Sequence, residues 1–452
     1  MEVIDSVKNV LKKIMLLLMM TLMVSSMLPT QTKAESSLNI LADAAILVDA
    51  DTGKILYEQN AEAPLGIASM TKMMSEYLLF EAIEEGRITW EQEYSVTDYT
   101  YAVSQDLRLS NVPLRRDGKY TIKELYEAMA IYSANAATIA IAETIAGTET
   151  EFVRLMNEKA KELGLTDTKF VNSTGLNNAD LKNMHPEGTG PTDENVMPAS
   201  QVAKLAKVLL EDYPQVLETT SIPSLLFREG TADETKMDNW NFMLPGFIYE
   251  YEGVDGLKTG TTDFAGHAFT GTAKRGDTRL IAVVMKAVDS EGAGSYKARF
   301  DATRALFDFG FGQFTTEEVL ATGYQFEGNE QLPVTKGKEK QVAIAVNEPV
   351  SMMIRTSEKD SYIPQLELDQ SLLNEDGELE APIEAGQVVG TVKLTKEDGT
   401  ELGYLDEAQS PIQVVTTEAV EKAGWFSLSL QAVGSFFSTL WGGAVDFVKG
   451  LF

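Results

Sequence analysis

Apolar residues at Met70, Met73, Met74, Tyr77 and Leu78 follow the i, i+3, i+4 spacing of a helix packed on a core. Thr121-x-x-Glu124 is a capping-box pattern and predicts a second helix through Ile131; a third runs from about Ala136 to Ala146, before Gly147. Thr148-x-x-Glu151 opens another that Gly164 ends, and further helices are read at Gln201 to Leu210 and Ala298 to Phe309. Between them lie short β-prone runs. Ala45 to Val48 and Lys54 to Tyr57 flank an Asp/Gly turn, while Ala268 to Thr272 and Leu280 to Met285 flank Lys274-Arg275-Gly276-Asp277. Each pair predicts a hairpin, and Lys258-Thr259-Gly260 then lies on or entering a strand of an antiparallel sheet. From Ile83 to Lys119 the pattern is mixed, and only loops and short helices are assigned.

Phe170 to Pro198, rich in Asn, Gly and Pro, reads as a long loop of the length that marks functional segments. From about Tyr324 to Val415 the texture changes to short alternating runs, such as Val342 to Val346 and Val388 to Val392, separated by charged turns. This is the pattern of a small all-β domain. At the N-terminus, Lys8, Lys12 and Lys13 precede an apolar run from Ile14 to Leu28 and then Thr32-Lys33-Ala34, the layout of a secretory signal peptide cleaved after Ala34. At the other end no charge occurs from Ala423 to Val445. There Ser427, Gln431, Ser435, Ser438, Gly442, Asp446 and Lys449 form a polar stripe opposite Trp425, Leu428, Phe436, Phe437, Leu440 and Trp441, which suits an amphipathic helix lying in a membrane interface rather than spanning the bilayer. The expected organisation is a signal peptide over 1–34, a main domain over 35–318, a β-rich domain over 319–415 and an anchor helix over 416–452.

Composition removes several function classes. A net charge of −30 over 452 residues argues against nucleic-acid binding. There is no cysteine, so an exported chain of this length must be held by its core alone. Without thiolates, and with His185 and His267 as the only imidazoles, zinc chemistry has no ligand set, and neither a metal nor a cofactor is expected. No Gly-x-Ser-x-Gly elbow supports a Ser-His-Asp site. The spaced aspartates Asp49 and Asp51 are a turn rather than a calcium loop, because the twelfth position, Asn60, is not Glu.

The candidate chemistry lies in Ala68-Ser69-Met70-Thr71-Lys72. A three-residue gap on a helix brings Lys72 beside Ser69. Serine needs a neighbouring base to act as a nucleophile, and a lysine partly removed from water supplies one. At a helix start, backbone N–H groups also favour a developing oxyanion.

Ser69-x-x-Lys72, Ser133-x-Asn135 and Lys258-Thr259-Gly260 occur in that order and together resemble the active-site set of penicillin-binding proteins and serine β-lactamases. Gly256 to Thr262, Phe170-Val171-Asn172-Ser173-Thr174-Gly175-Leu176, the β domain and the tail extend the resemblance to low-molecular-mass D-alanyl-D-alanine carboxypeptidases of Gram-positive type. It implies an α/β (α+β) transpeptidase-like fold with an antiparallel sheet, a small all-β domain and a C-terminal amphipathic helix. It further implies action outside the cytoplasmic membrane on peptidoglycan stem peptides ending in D-Ala-D-Ala, and acylation by β-lactams. Ser69 would attack the penultimate D-Ala carbonyl with Lys72 as base; Ser133 would relay a proton to the leaving amine, and Asn135 would hold Lys72 and the substrate amide. Lys258, Thr259, Gly260 and Thr261 would receive the terminal carboxylate, assisted by Arg299, and the backbone N–H groups of Ser69 and Thr261 would form the oxyanion hole. Several relatives have histidine where this chain has Thr261. A class A β-lactamase would need Glu-x-x-x-Asn between Asn135 and Lys258, and that pattern does not occur. A DD-endopeptidase shares the motifs, and an idle scaffold would show a damaged one.

Overall fold

The computed structural model describes residues 38–396, 403–406 and 412–424. Residues 1–34, expected to be a signal peptide, and the stretch from Trp425 onward, expected to be an anchor helix, lie outside the described residues. Among those described, no helix is long and apolar enough to cross a membrane.

Strands β1 (Ala42–Asp49) and β2 (Ile55–Gln59) form the first hairpin around the Asp/Gly turn. The central helix α1 (Lys72–Glu84) follows, then α2 (Ile122–Tyr132), α3 (Asn135–Ala146), α4 (Glu149–Glu162) and α5 (Ala199–Asp212). Strands β3 (Val254–Thr262), β4 (Gly266–Arg275) and β5 (Thr278–Ala287) return as a meander, and α6 (Tyr296–Gln313) closes the domain. The sheet is antiparallel with order β2-β1-β5-β4-β3. Consecutive residues of β1, β4 and β5 are buried, as expected where helices such as α5 and α6 cover the sheet.

The caps are those read from the chain. Thr121 accepts from the Glu124 amide at 3.2 Å and its own amide donates to Glu124 at 2.8 Å, while Thr148 accepts from the Glu151 amide at 3.1 Å. The first helix differs from expectation. It is buried from Lys72 through Phe80, polar positions included, because α3, α4, α5 and β3 surround it. Ser69 is not on it: Ala68–Thr71 form a 3₁₀ turn that leads into α1. In the stretch left open, a strand at Glu93–Ser95 pairs with Lys119–Thr121, and a short helix spans Asp98–Ser104.

The second domain begins at β6 (Phe314–Leu320), which pairs with β9 (Val350–Arg355). Strands β7 (Gln331–Thr335), β8 (Gln341–Val346), β10 (Tyr362–Leu368), β11 (Leu379–Glu380), β12 (Val388–Lys396) and β13 (Ile412–Thr416) make a sheet of order β10-β12-β13-β8-β7-β11. Its core is Val342, Ile344, Val389, Val414 and their neighbours. Both expected boundaries fall inside strands. The first of these strands, β6, starts at Phe314, directly after α6 ends at Gln313. Residues 416–424 belong to the β domain as well, since Val420 bridges Ile383 and the Ala423 amide donates to Lys336 O at 2.8 Å.

Candidate active site

From Gly66 to Phe80 every residue is buried except Ser69. The turn that presents it is tightly made. Ala68 has φ +45°, a left-handed conformation that costs energy for a residue with a Cβ. Its carbonyl lies against Gly175 (φ +82°), where a Cβ would come within 1.8 Å of Ala68 O. On the other side passes β3, and a Cβ on Gly260 would lie 2.6 Å from Ile67 O. Glycine at 175 and 260 therefore lets a loop and a strand close on the serine turn.

Lys72 Nζ is fully enclosed and lies 3.0 Å from Ser69 Oγ, 2.8 Å from Asn135 Oδ1 and 2.8 Å from Thr174 O. Asn135 is oriented by its own Nδ2, which donates to Ser110 O at 3.0 Å, so its oxygen must face the lysine. Burial first and the Lys258 charge second hold the Lys72 amine well below the ordinary lysine pKa, against an opposing pull from Glu76. A neutral amine has two N–H donors and one lone pair. Here the donors match the two carbonyl oxygens, and the lone pair is left for the Ser69 hydroxyl.

Ser133 is the left-handed residue (φ +59°) between α2 and α3, and its hydroxyl makes no hydrogen bond among the described residues. No hydrogen bond joins it to Lys72, whose partners are Ser69, Asn135 and Thr174. Ser110 and Asn111 secure this junction: the Asn135 amide donates to Ser110 O at 2.9 Å and the Ala136 amide to Asn111 Oδ1 at 2.9 Å. Trp240 Nε1 reaches Ser110 Oγ at 3.0 Å and Tyr132 O at 3.1 Å from the other side.

On β3, Lys258 is buried and donates to Thr259 O at 3.3 Å, whereas Thr261 is exposed. Burial, opposed by Glu76 and reinforced by Arg299, lowers the Lys258 amine. Thr261 Oγ1 donates to Gly260 O at 2.8 Å and accepts from Arg299 Nη1 at 3.0 Å. Arg299 is 1% exposed; it also donates to Gly260 O and Ala268 O and lies over the rings of Tyr296 and Phe300. Its guanidinium thus reaches the site through Thr261, as a brace and a positive charge behind the strand.

Three features escaped the sequence reading. The Thr174 carbonyl is a backbone acceptor, which no residue type announces. It is held in place because Asn172 Oδ1 accepts from Thr174 N, Thr174 Oγ1 and Gly175 N at 3.1, 3.0 and 2.7 Å, and Asn195 Nδ2 donates to Thr71 Oγ1 at 2.8 Å. The density of Asn, Ser, Thr and Gly in this loop was the available signal. Ser110 lay in the stretch without periodicity. Glu76, buried one turn after Lys72, carries no pattern that sets it apart from other polar positions of a helix.

The chain is similar to known proteins along most of its length. A family model described as D-alanyl-D-alanine carboxypeptidase matches residues 30–289, and one described as Penicillin-binding protein 5, C-terminal domain, matches residues 314–422. The chain is 32% identical to D-alanyl-D-alanine carboxypeptidase DacF of Bacillus subtilis, over 93% of this chain and 96% of that one. Its fold is similar to the crystal structure of a peptidoglycan synthesis regulatory factor (PBP3) from Streptococcus pneumoniae, with TM-score 0.67, 36% identity and 85% and 100% of the two chains covered. Penicillin-binding protein D2 from Listeria monocytogenes in its cefotaxime-bound form matches 61% of this chain and 98% of its own, with TM-score 0.50 and 32% identity. With more than half of its length matched by the carboxypeptidase model and nearly the whole of a curated relative covered, the chain belongs to the D-alanyl-D-alanine carboxypeptidase family, as the three motifs imply.

Proposed function

We propose that this chain removes the terminal D-Ala from peptidoglycan stem peptides through an acyl-enzyme on Ser69, and that β-lactams acylate the same serine. The observation that carries this reading is the hydrogen-bond balance at Lys72. Two carbonyl oxygens take its protons, and its lone pair faces the only solvent-reached side chain of the buried turn. In acylation Ser69 Oγ adds to the penultimate D-Ala carbonyl as its proton passes to Lys72. The C–N bond of the tetrahedral intermediate then breaks, with a proton relayed through Ser133 to the leaving D-Ala amine. Water hydrolyses the acyl-enzyme by the same route in reverse. Asn135 fixes Lys72 and takes the substrate amide. Lys258 and the Thr259 and Thr261 hydroxyls take the terminal carboxylate, with Arg299 steering Thr261. The backbone N–H groups of Ser69 and Thr261 stabilise the oxyanion. A β-lactam offers a carbonyl and a carboxylate at corresponding positions, in keeping with the cefotaxime-bound form of the Listeria protein.

Incubation with a diacyl-L-Lys-D-Ala-D-Ala peptide should release free D-Ala from the wild type and none from Ser69→Ala. Release by the serine variant, or intact peptide with the wild type, would defeat the assignment.

The same reading covers the ends of the chain. Residues 1–34 direct export, and the tail beyond the β domain holds the enzyme at the outer face of the cytoplasmic membrane by its apolar face. Since a chain of net charge −30 gains nothing from anionic lipids, the attachment should be only weakly salt-sensitive. Deleting residues 425–452 should release soluble protein that still binds penicillin. Retention of the truncated chain on membranes would refute the anchor.

A further inference from the structure

The proposed reaction needs two lysines in opposite protonation states inside one enclosed site: Lys72 neutral as base, and Lys258 cationic as carboxylate anchor. Both are buried, at 0% and 3% exposure. The two differ in their surroundings. Lys72 has carbonyl acceptors enough for a neutral amine, whereas Lys258 makes, among the described residues, one long hydrogen bond, to Thr259 O.

Glu76 stands one helical turn beyond Lys72, 1% exposed, and neither of its carboxylate oxygens has a hydrogen-bond partner among the described residues. A carboxylate buried in this way is costly and would be replaced by an apolar residue without loss if it served packing alone. Helix α1, which carries Lys72 and Glu76 one turn apart, packs against β3, the strand of Lys258; the charges that act on Glu76 are those of Lys258 and Lys72, its own acts on Tyr126 of α2, and beyond these Arg299 acts on Lys258 and Glu218 on Tyr126. With Glu76 ionised, Lys258 protonated and Lys72 neutral, these three side chains sum to zero charge, the least costly arrangement to bury that also keeps both working protonation states.

Resting on the roles given above to Lys72 and Lys258, we infer that Glu76 is a positioning residue, the internal counter-ion that keeps Lys258 charged before a substrate carboxylate arrives. Burial raises the Glu76 carboxyl and lowers the Lys258 amine, and each group pulls the other back toward its ionised form. The same negative charge also pulls Lys72 upward, so its removal acts on both amines in one direction.

The test is the rate of acylation by a penicillin as a function of pH for the wild type, Glu76→Gln and Glu76→Asp, with folding checked by thermal melting. The wild type should show an acid limb from Lys72 and an alkaline limb from Lys258. In Glu76→Gln both limbs should move to lower pH, by about one unit, and Glu76→Asp should restore most of the displacement. If the amide variant does not fold, Glu76→Met removes the same charge and should give the same shift. A purely structural residue would lower the rate at every pH and leave the limbs in place, which would overturn the inference. Labelling at a residue other than Ser69 would instead overturn the reading of the site on which it rests.

Discussion

Lys72→Arg should lose acylation by penicillin by about a thousandfold, the scale of a general base, or about 4 kcal/mol in the barrier, while Lys258→Arg should lose only about tenfold, about 1.4 kcal/mol. The two substitutions are chemically the same, so the difference isolates what each site asks of its cation. At position 72 the amine must accept a proton, and a guanidinium does not lose its own in proteins. Geometry adds to this, because Lys72 meets Ser69 Oγ, Asn135 Oδ1 and Thr174 O with one atom, and a planar fork cannot. At position 258 only a positive charge near the substrate carboxylate is required, and arginine keeps it. The pH profiles separate them again. The Lys72 amine is held low by burial and by Lys258, so acylation should rise with pH as it deprotonates and then level. The Lys258 amine is also lowered by burial, so the wild type should decline again at alkaline pH as the anchor loses its charge. Lys258→Arg should abolish that decline and leave the acid limb. Stopped-flow acylation of the purified variants measures both effects. The reverse order of losses, or an alkaline limb that survives Lys258→Arg, would exchange the roles assigned to the two lysines.

What could be read in the chain beforehand was what local spacing expresses. Ser69 and Lys72 are three residues apart, and their proximity follows from backbone geometry whatever the fold. The capping residues Thr121 and Thr148 likewise act on amides three positions away. The β4–β5 hairpin was legible because two β-prone runs, Ala268 to Thr272 and Leu280 to Met285, flank the turn at Lys274-Arg275-Gly276-Asp277. What stayed hidden was contributed by groups without a side-chain signature or by contacts across long separations. Thr174 offers its backbone carbonyl to a lysine 102 residues away. Gly175 matters because nothing fits between it and Ala68 O. Ser110 sits in a segment whose conformation is set by Asn135 and Trp240, not by its own pattern. Glu76 was masked by its helix: an amphipathic reading assigns a polar residue to solvent, and α1 has no solvent face along its first two turns. The strand at Phe314–Leu320 was hidden for a related reason. Phe314 begins a strand only because Val350–Arg355 pairs with it from beyond the next turns.

Everything proposed for the site turns on Ser69 being the residue acylated. The most direct measurement is mass spectrometry of the protein after brief exposure to a penicillin, with the modified peptide mapped, for the wild type and for Ser69→Ala. One adduct per chain, carried by Ser69, is expected in the wild type and none in the variant. An adduct that persists in Ser69→Ala, or that maps to Ser133 or Lys72, would contradict it.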